Sequence, residues 1–201
     1  MDNSIDFTDV DFTDEEKVIL DVLDGEVDKF SAIVEKYQLS IFSYFIKMGM
    51  NYSDAQELTQ ETFFKAYVKL DQHNLSKKFS AWLFSIAVNQ MRDFQRKQKW
   101  RLRIPFIVNE NSADYRTPEN EFIYEDHKKT ILNLLNVLPK KKKQILMLRY
   151  LGELSYQEIA EILNVSPIKV RNELFSAKKK LRSIIEEKGV DLNEMLRSFG
   201  D

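Results

Sequence analysis

The stretch SYQEIAEILNVSPIKVRNEL, Ser155 to Leu174, restricts the fold more than any other part of the chain. Ser155, followed three residues later by Glu158, is a capping box that opens a helix, and Ile159, Ala160 and Ile162 give that helix its apolar face. Only Asn164-Val165 is left for a turn, because Ser166 caps and Pro167 suits the first position of a second, longer helix. Two helices so tightly joined are either a helix-turn-helix, whose second helix enters the DNA major groove, or an ordinary αα-hairpin. In the first case Ile168, Val170, Leu174, Ala177 and Leu181 face the core, while Lys169, Arg171, Asn172, Glu173 and Ser176 face the groove. Arg171 suits guanine, Asn172 suits adenine and Glu173 suits cytosine N4. Lys178 to Lys180 and Arg182 are placed for phosphates, which add affinity without reading sequence.

The rest of the chain agrees with an all-α fold. Only 5 glycines and 4 prolines interrupt 201 residues, and helical spacing dominates over strand alternation. Thr13 and Glu16 form a capping box for a short helix that Gly25 closes. A long helix is predicted from about Val27 to Met48, stopped by Gly49. Ser53 with Gln56 caps the next, which carries Leu58, Thr62, Phe63, Ala66 and Leu70 on one face. After the polar loop DQHNLSKKF a third helix, about Ser80 to Lys99, turns Leu83, Ile86, Ala87, Gln90, Met91 and Phe94 inward. RLRIPFIVNENSADYRT, residues 101–117, has no period and reads as a flexible linker. Pro118 opens a pattern running through Ile123, Ile131, Leu134 and Leu135 to Leu138, and helices follow at about 141–150, 155–163 and 167–185. Two small helical domains joined by a linker result, with divisions at 1–25, 26–100, 101–117, 118–186 and 187–201.

Charge is segregated along this plan. Residues 1–28 hold 11 acids and one lysine, whereas residues 76–103 hold 8 bases and one acid and residues 139–185 hold 11 bases and 4 acids. Two basic blocks in an acidic protein are either polyanion-facing surfaces or solvated helix faces. Lys140 to Lys143 oppose the macrodipole at a helix start, a cost that a phosphate or an acidic partner relieves if it does not remain simply solvated. With no cysteine, and His73 and His127 as the only histidines, neither disulfide nor metal site is expected, and no cofactor. No run approaches the roughly 18 apolar residues of a membrane span, and MDNSIDFTDVDF lacks the positive flank of a signal peptide, so a cytoplasmic location is expected.

Two further constellations carry chemistry. The third helix bears Trp82, Phe84, Asn89, Arg92, Arg96 and Lys97 after the loop residues Asn74, Lys77, Lys78 and Phe79. Aromatics among bases suit unstacked single-stranded DNA, although Trp82 and Phe79 taken singly also suit a plain core. Asp54, Glu57 and Glu61 recur at helical spacing as an acidic strip that fits a docking face for a basic or polar partner. No nucleophile-base pair, glycine-rich phosphate loop or ligand cluster supports an enzyme, and no small-molecule substrate is expected.

Three stretches, DAQELTQETFFKAY at 54–67, KKFSAWLFSIAVNQMRDFQRK at 77–97 and LPKKKKQILMLRYLGELSYQEIAEILNVSPIKVRNELFSAKKKLR at 138–182, together resemble the extracytoplasmic-function group of bacterial RNA polymerase sigma factors, in the family's order, from about Glu26 to Ile185. The resemblance implies a core-binding and minus-ten-melting domain over 26–100 and a minus-thirty-five-reading domain over 118–186. It implies docking of Asp54, Glu57, Leu58, Gln60, Glu61 and Phe64 on the clamp coiled coil of the polymerase largest subunit, with the second domain at the beta flap. Asn74, Lys77, Lys78, Phe79, Trp82, Asn89, Arg92, Arg96 and Lys97 would meet the minus-ten element, in double-stranded and then melted promoter DNA. Ser155, Tyr156, Ser166, Pro167, Lys169, Arg171, Asn172, Glu173, Ser176 and Lys178 would meet the minus-thirty-five element. An anti-sigma factor at the inner membrane face is the family's usual restraint. The linker would thread toward the active-site and RNA-exit channels.

Four departures from the family pattern stand out. Glu173 and Ser176 occupy positions where many members carry arginine, and Pro167-Ile168-Lys169 replaces Val-Gly-Thr before Val170. The acidic segment before Glu26 is long, and either shields the basic faces in the free protein or is disordered. The tail GVDLNEMLRSFGD has room for an extra short helix. The alternative function is a dimeric helix-turn-helix regulator of an operator.

Overall fold

The structure is a computed structural model that describes residues 13–101 and 134–188. The linker beyond Arg101, the predicted segment 118–133 with His127, residues 1–12 and the tail from 189 lie outside the described residues. The described elements are α1 (Asp14–Leu23), α2 (Phe30–Lys47), α3 (Tyr52–Val68), α4 (Phe79–Arg101), α5 (Lys140–Tyr150), α6 (Tyr156–Leu163) and α7 (Pro167–Lys188), with no strand among them.

Local chemistry sets the helix ends. Thr13 Oγ1 accepts from Glu16 N while the Glu16 carboxylate accepts from Thr13 N, the reciprocal capping box. The Thr13 N–H and then the Thr13 hydroxyl, both donating to the Glu16 carboxylate, hold it below its ordinary range. Gly25 and Gly49 adopt positive φ, +106° and +93°, which lets the chain reverse after α1 and α2 where a Cβ would strain it. The α3 cap is Asn51, not Ser53: its Oδ1 accepts from Asp54 N at 2.7 Å, so the helix starts at Tyr52.

α1 to α4 form one bundle. Ile19 and Val22 of α1 are buried with Ile33, Ile41 and Phe45 of α2, so the boundary drawn after residue 25 cuts through a packed unit. The acids of α1 bond to α2 and its lead-in turn: Glu15 accepts from Tyr37 Oη (2.6 Å) and Lys36 Nζ (2.7 Å), and Asp21 from Lys29 Nζ (2.7 Å). α5 to α7 form the second unit around Ile145, Leu148, Ile159, Val170 and Leu174, and Leu134, Leu135 and Leu138 are buried with them.

The two units are not separate beads. Phe84 and Val88 of α4, outside the inward face predicted for that helix, are fully buried; α4 packs on α6 and α2 on α5, and Phe84 lies against Tyr44. A methyl placed on Gly152 would lie 3.1 Å from Phe84 Cδ2, so only glycine fits this seam without displacement. Gln144 Nε2 donates to the buried Tyr44 hydroxyl at 3.0 Å, and Ser80 Oγ donates to Gly152 O at 3.1 Å. One continuous apolar core therefore runs through both halves.

Candidate nucleic-acid interface

The loop between α3 and α4 is built on a ring triad. Leu70 and His73 are buried, and His73 lies 5.2 Å from both Phe79 and Trp82 between ring centroids. Asn74 Oδ1 accepts from Ser76 N, and Asn74 O accepts from Lys77 N, which turns Lys77 and Lys78 outward. Phe79 is only 2% exposed and packs against Tyr37. A base cannot stack on a buried ring, so the expectation that Phe79 meets DNA is corrected: it supports Trp82, which is half-buried and faces a cleft.

His73 carries its own consequence. Its Nδ1 is buried without a hydrogen-bond partner, and desolvation pushes its pKa below the ordinary value although Glu15 and Glu16 on α1 pull the other way. A neutral histidine in the fold, against one that protonates near pH 6.5 once unfolded, means that acid favours the unfolded chain. As pH falls below about 6.5, stability is expected to decline by up to about 1.4 kcal/mol per pH unit until the folded group itself protonates. His73→Phe should flatten the melting temperature between pH 7.5 and 5.5, and an unchanged slope would remove His73 as its source.

Asn89, Arg92, Arg96 and Lys97 all lie exposed on α4. Arg92 Nη1 donates to Asn89 Oδ1 (3.2 Å) and Arg96 pairs with Asp93 (3.0 Å). The loop and α4 are tied across the seam. Lys77 Nζ meets Glu161 at 3.2 Å, Lys78 Nζ donates to Glu153 O at 3.1 Å, and Arg92 Nη2 donates to Ile162 O at 3.3 Å. The hydrogen bond from Lys77 holds the Glu161 carboxyl below its ordinary range. Between the loop and α6 lies a half-open cleft of about 580 Å³, walled by His73, Lys77, Trp82, Glu158 and Ile162.

The helix-turn-helix is present. Ser155 Oγ accepts from Glu158 N and Glu158 from Ser155 N, Asn164 closes α6 in the left-handed region (φ 53°, ψ 56°), and Ser166 Oγ accepts from Lys169 N. Arg149 stacks over the exposed Tyr156 ring at 5.6 Å. On α7, Val170, Leu174, Ala177 and Leu181 are buried as predicted, but Ile168 is 73% exposed and belongs to the outer face. Pro167, Lys169, Arg171, Asn172 and Lys178 are exposed. Glu173 and Ser176, assigned to the groove from the sequence, lean toward α5: Lys142 Nζ donates to Ser176 Oγ at 2.6 Å and lies 3.8 Å from Glu173. The lysine run is mostly spent on such ties, since Lys143 is buried on Asn136 Oδ1 (3.0 Å), its pKa lowered by desolvation, and Lys140 bonds Gln95.

On α3, Glu57, Gln60, Glu61 and Phe64 are exposed, the last at 69%. Leu58 is 3% exposed and belongs to the core, so its direct contact with a partner is corrected. Asp54 accepts from Asn51 Nδ2 (3.0 Å), and burial raises its carboxyl pKa despite that bond. Glu61 accepts from the buried Gln90 Nε2 at 2.8 Å, and Lys65 donates to Gln90 Oε1, a network that fixes α3 to α4. These acids border a groove of about 270 Å³ shared with Asp93 and Lys97. The sequence reading missed Gln90 as the tie and Phe175, 71% exposed on α7, whose hydrophobicity hid its outward position.

A bundle that sets Trp82 of α4 beside a basic loop therefore stands next to a helix-turn-helix. Residues 33–101 match Sigma-70 region 2 and residues 128–181 match Sigma-70, region 4. The chain is 31% identical over 180 residues, 85% of its length and 96% of the relative's, to the ECF RNA polymerase sigma factor SigW of Bacillus subtilis (strain 168). It is 28% identical over 174 residues, 82% of its length and 92% of the relative's, to the ECF RNA polymerase sigma-E factor of Haemophilus influenzae. The chain belongs to the extracytoplasmic-function sigma factors, DNA-binding factors of transcription initiation. Its fold is shared with CnrH, solved in complex with the cytosolic domain of CnrY (TM-score 0.63, 20% identity, 85% of this chain and 96% of that one). It is shared also with the sigma factor RpoE, solved with the anti-sigma factor NepR from Bartonella quintana (TM-score 0.59, 20% identity, 78% and 96%). Among the described residues no helix is long and apolar enough to cross a membrane.

Proposed function

We propose that this sigma factor docks on core polymerase through the exposed α3 residues Glu57, Gln60, Glu61 and Phe64 with the half-buried Asp54, opens the minus-ten element on the 71–78 loop, Trp82, Asn89, Arg92 and Arg96, and reads the minus-thirty-five element with α7. The observation that carries this reading is the opposition of surfaces. An acidic, aromatic-tipped helix stands in one bundle with a basic loop and the adjoining Trp82 of α4, which faces a cleft, and a helix-turn-helix follows. Acids repel phosphates, so the α3 face fits a basic protein and the other two fit DNA.

The described conformation is a closed one. Lys77, Lys78 and Arg92 are bonded to α6 or the turn before it, so DNA at the minus-ten residues has to compete with these contacts. Core binding is then expected to select a form in which the halves separate. Among the described residues the element that covers these cations is α6, and the described acids Glu15 and Asp21 bond to lysines and a tyrosine of their own bundle. An anti-sigma factor that stabilises the closed halves is the matching restraint, in keeping with the partner that the RpoE neighbour carries. Run-off transcription with purified core and a promoter library tests the function. The expected result is a stoichiometric complex that starts at a defined promoter; duplex binding by a dimer that leaves core inactive would instead indicate an operator regulator.

A further inference from the structure

The outward line of α7 is apolar where a DNA-reading helix is ordinarily polar. With Val170, Leu174, Ala177 and Leu181 buried, the opposite side is formed by Ile168, Asn172, Phe175 and Lys179, spaced i, i+4, i+7 and i+11. Ile168 at 73% and Phe175 at 71% are the most exposed large apolar side chains among the described residues. A single exposed apolar residue is ordinary on any protein surface. Two on one line, flanking Arg171 and Asn172 in the second helix of a helix-turn-helix, are not explained by packing, because neither side chain belongs to the buried core.

The major groove offers one apolar group for such side chains, the C5-methyl of thymine. Seven residues span about 10.5 Å along a helix, which matches about three base steps at 3.4 Å each. We propose that Ile168 and Phe175 are specificity-determining residues that read two thymine methyls about three base steps apart in the minus-thirty-five element, with Asn172 between them. Polar readout in this chain is correspondingly narrow. Glu173 and Ser176 lean on Lys142, which leaves Lys169, Arg171 and Asn172 as the base-reading polar groups near the start of α7.

The inference rests on the sigma-factor reading, and its test separates the two. A promoter is first selected with the reconstituted holoenzyme, and each thymine of its minus-thirty-five element is then replaced by deoxyuridine, which removes only the methyl. Two positions about three base pairs apart should each weaken holoenzyme binding by about fourfold, the worth of roughly one buried methyl. Phe175→Ala should abolish the sensitivity at one position and Ile168→Ala at the other, while core binding stays unchanged. Deoxyuridine effects below twofold throughout, or sensitivities that survive both variants, overturn the inference. If either variant fails to fold, the deoxyuridine series on the unaltered protein decides alone. A holoenzyme that selects no promoter overturns the sigma-factor reading instead.

Discussion

Cysteines introduced at positions 77 and 161 and joined by a short bis-maleimide should lower promoter-directed initiation at least tenfold relative to the same variant left unbridged. The chain has no native cysteine, so the two introduced thiols are the only ones that can react. Lys77 and Glu161 meet at 3.2 Å with side chains 64% and 52% exposed, and such a pair contributes only about 0–1 kcal/mol, so losing it alone leaves closure nearly intact. The remainder of the seam is stronger in aggregate. The bonds Ser80 to Gly152 and Gln144 to Tyr44 add about 1 kcal/mol each, the exposed ties Lys78 to Glu153 and Arg92 to Ile162 add less, and Phe84 packs on Gly152. Separating the halves also exposes part of the apolar surface they share, so the open form is a minority that core and promoter must stabilise. A covalent bridge removes that minority altogether. Comparison with the unbridged variant cancels the loss of the Lys77 cation itself. Full initiation by the bridged protein would mean that the halves need not part, and the closed-state account would fall. Deleting residues 1–24 tests the same account from the other side, but removes the packed α1 with Ile19 and Val22, so lost stability confounds it.

What the sequence discloses about this fold is what short-range chemistry decides. The Thr13–Glu16 and Ser155–Glu158 boxes, the positive-φ glycines and the Asn164 turn are each settled within five residues, and each stands where the sequence puts it. The α3 cap shows the margin of that logic: Asn51 and Ser53 are both competent, and the earlier one holds the amide. Residues whose fate depends on the other half were not legible. Phe84 and Val88 lie outside the inward face predicted for α4 and are fully buried, Phe84 against Gly152 of the other half. The resemblance assigns Phe79 and Leu58 to contact surfaces, yet the core claims them, whereas Ile168 and Phe175, equally apolar, stand in solvent. Lys142 shows the same effect for charge, since its partner is Ser176, 34 residues away.

Glu57→Lys should weaken binding to core polymerase by about tenfold to hundredfold and leave the melting temperature within about a degree. Of the acids on α3 it is the cleanest probe. Asp54 is held by the cap residue Asn51, and Glu61 accepts from Gln90, so replacing either disturbs a helix start or the α3–α4 tie as well as the surface. Glu57 is exposed at the rim of the groove beside Asp54 and Glu61, and a surface substitution there is worth little to stability. A lysine placed against a basic partner replaces an attraction with a repulsion, and roughly 1.4–2.8 kcal/mol at the rim of an interface gives the stated range. Salt should shrink the difference, because the rim is screened over about 10 Å at 0.1 M. Phe64→Ala, which removes the most exposed apolar group of α3, should weaken the complex without that salt dependence. The pair of responses assigns the face: a salt-sensitive loss at Glu57 with a salt-insensitive loss at Phe64 identifies α3 as the docking surface. Unchanged affinity in both variants would move docking elsewhere on the bundle.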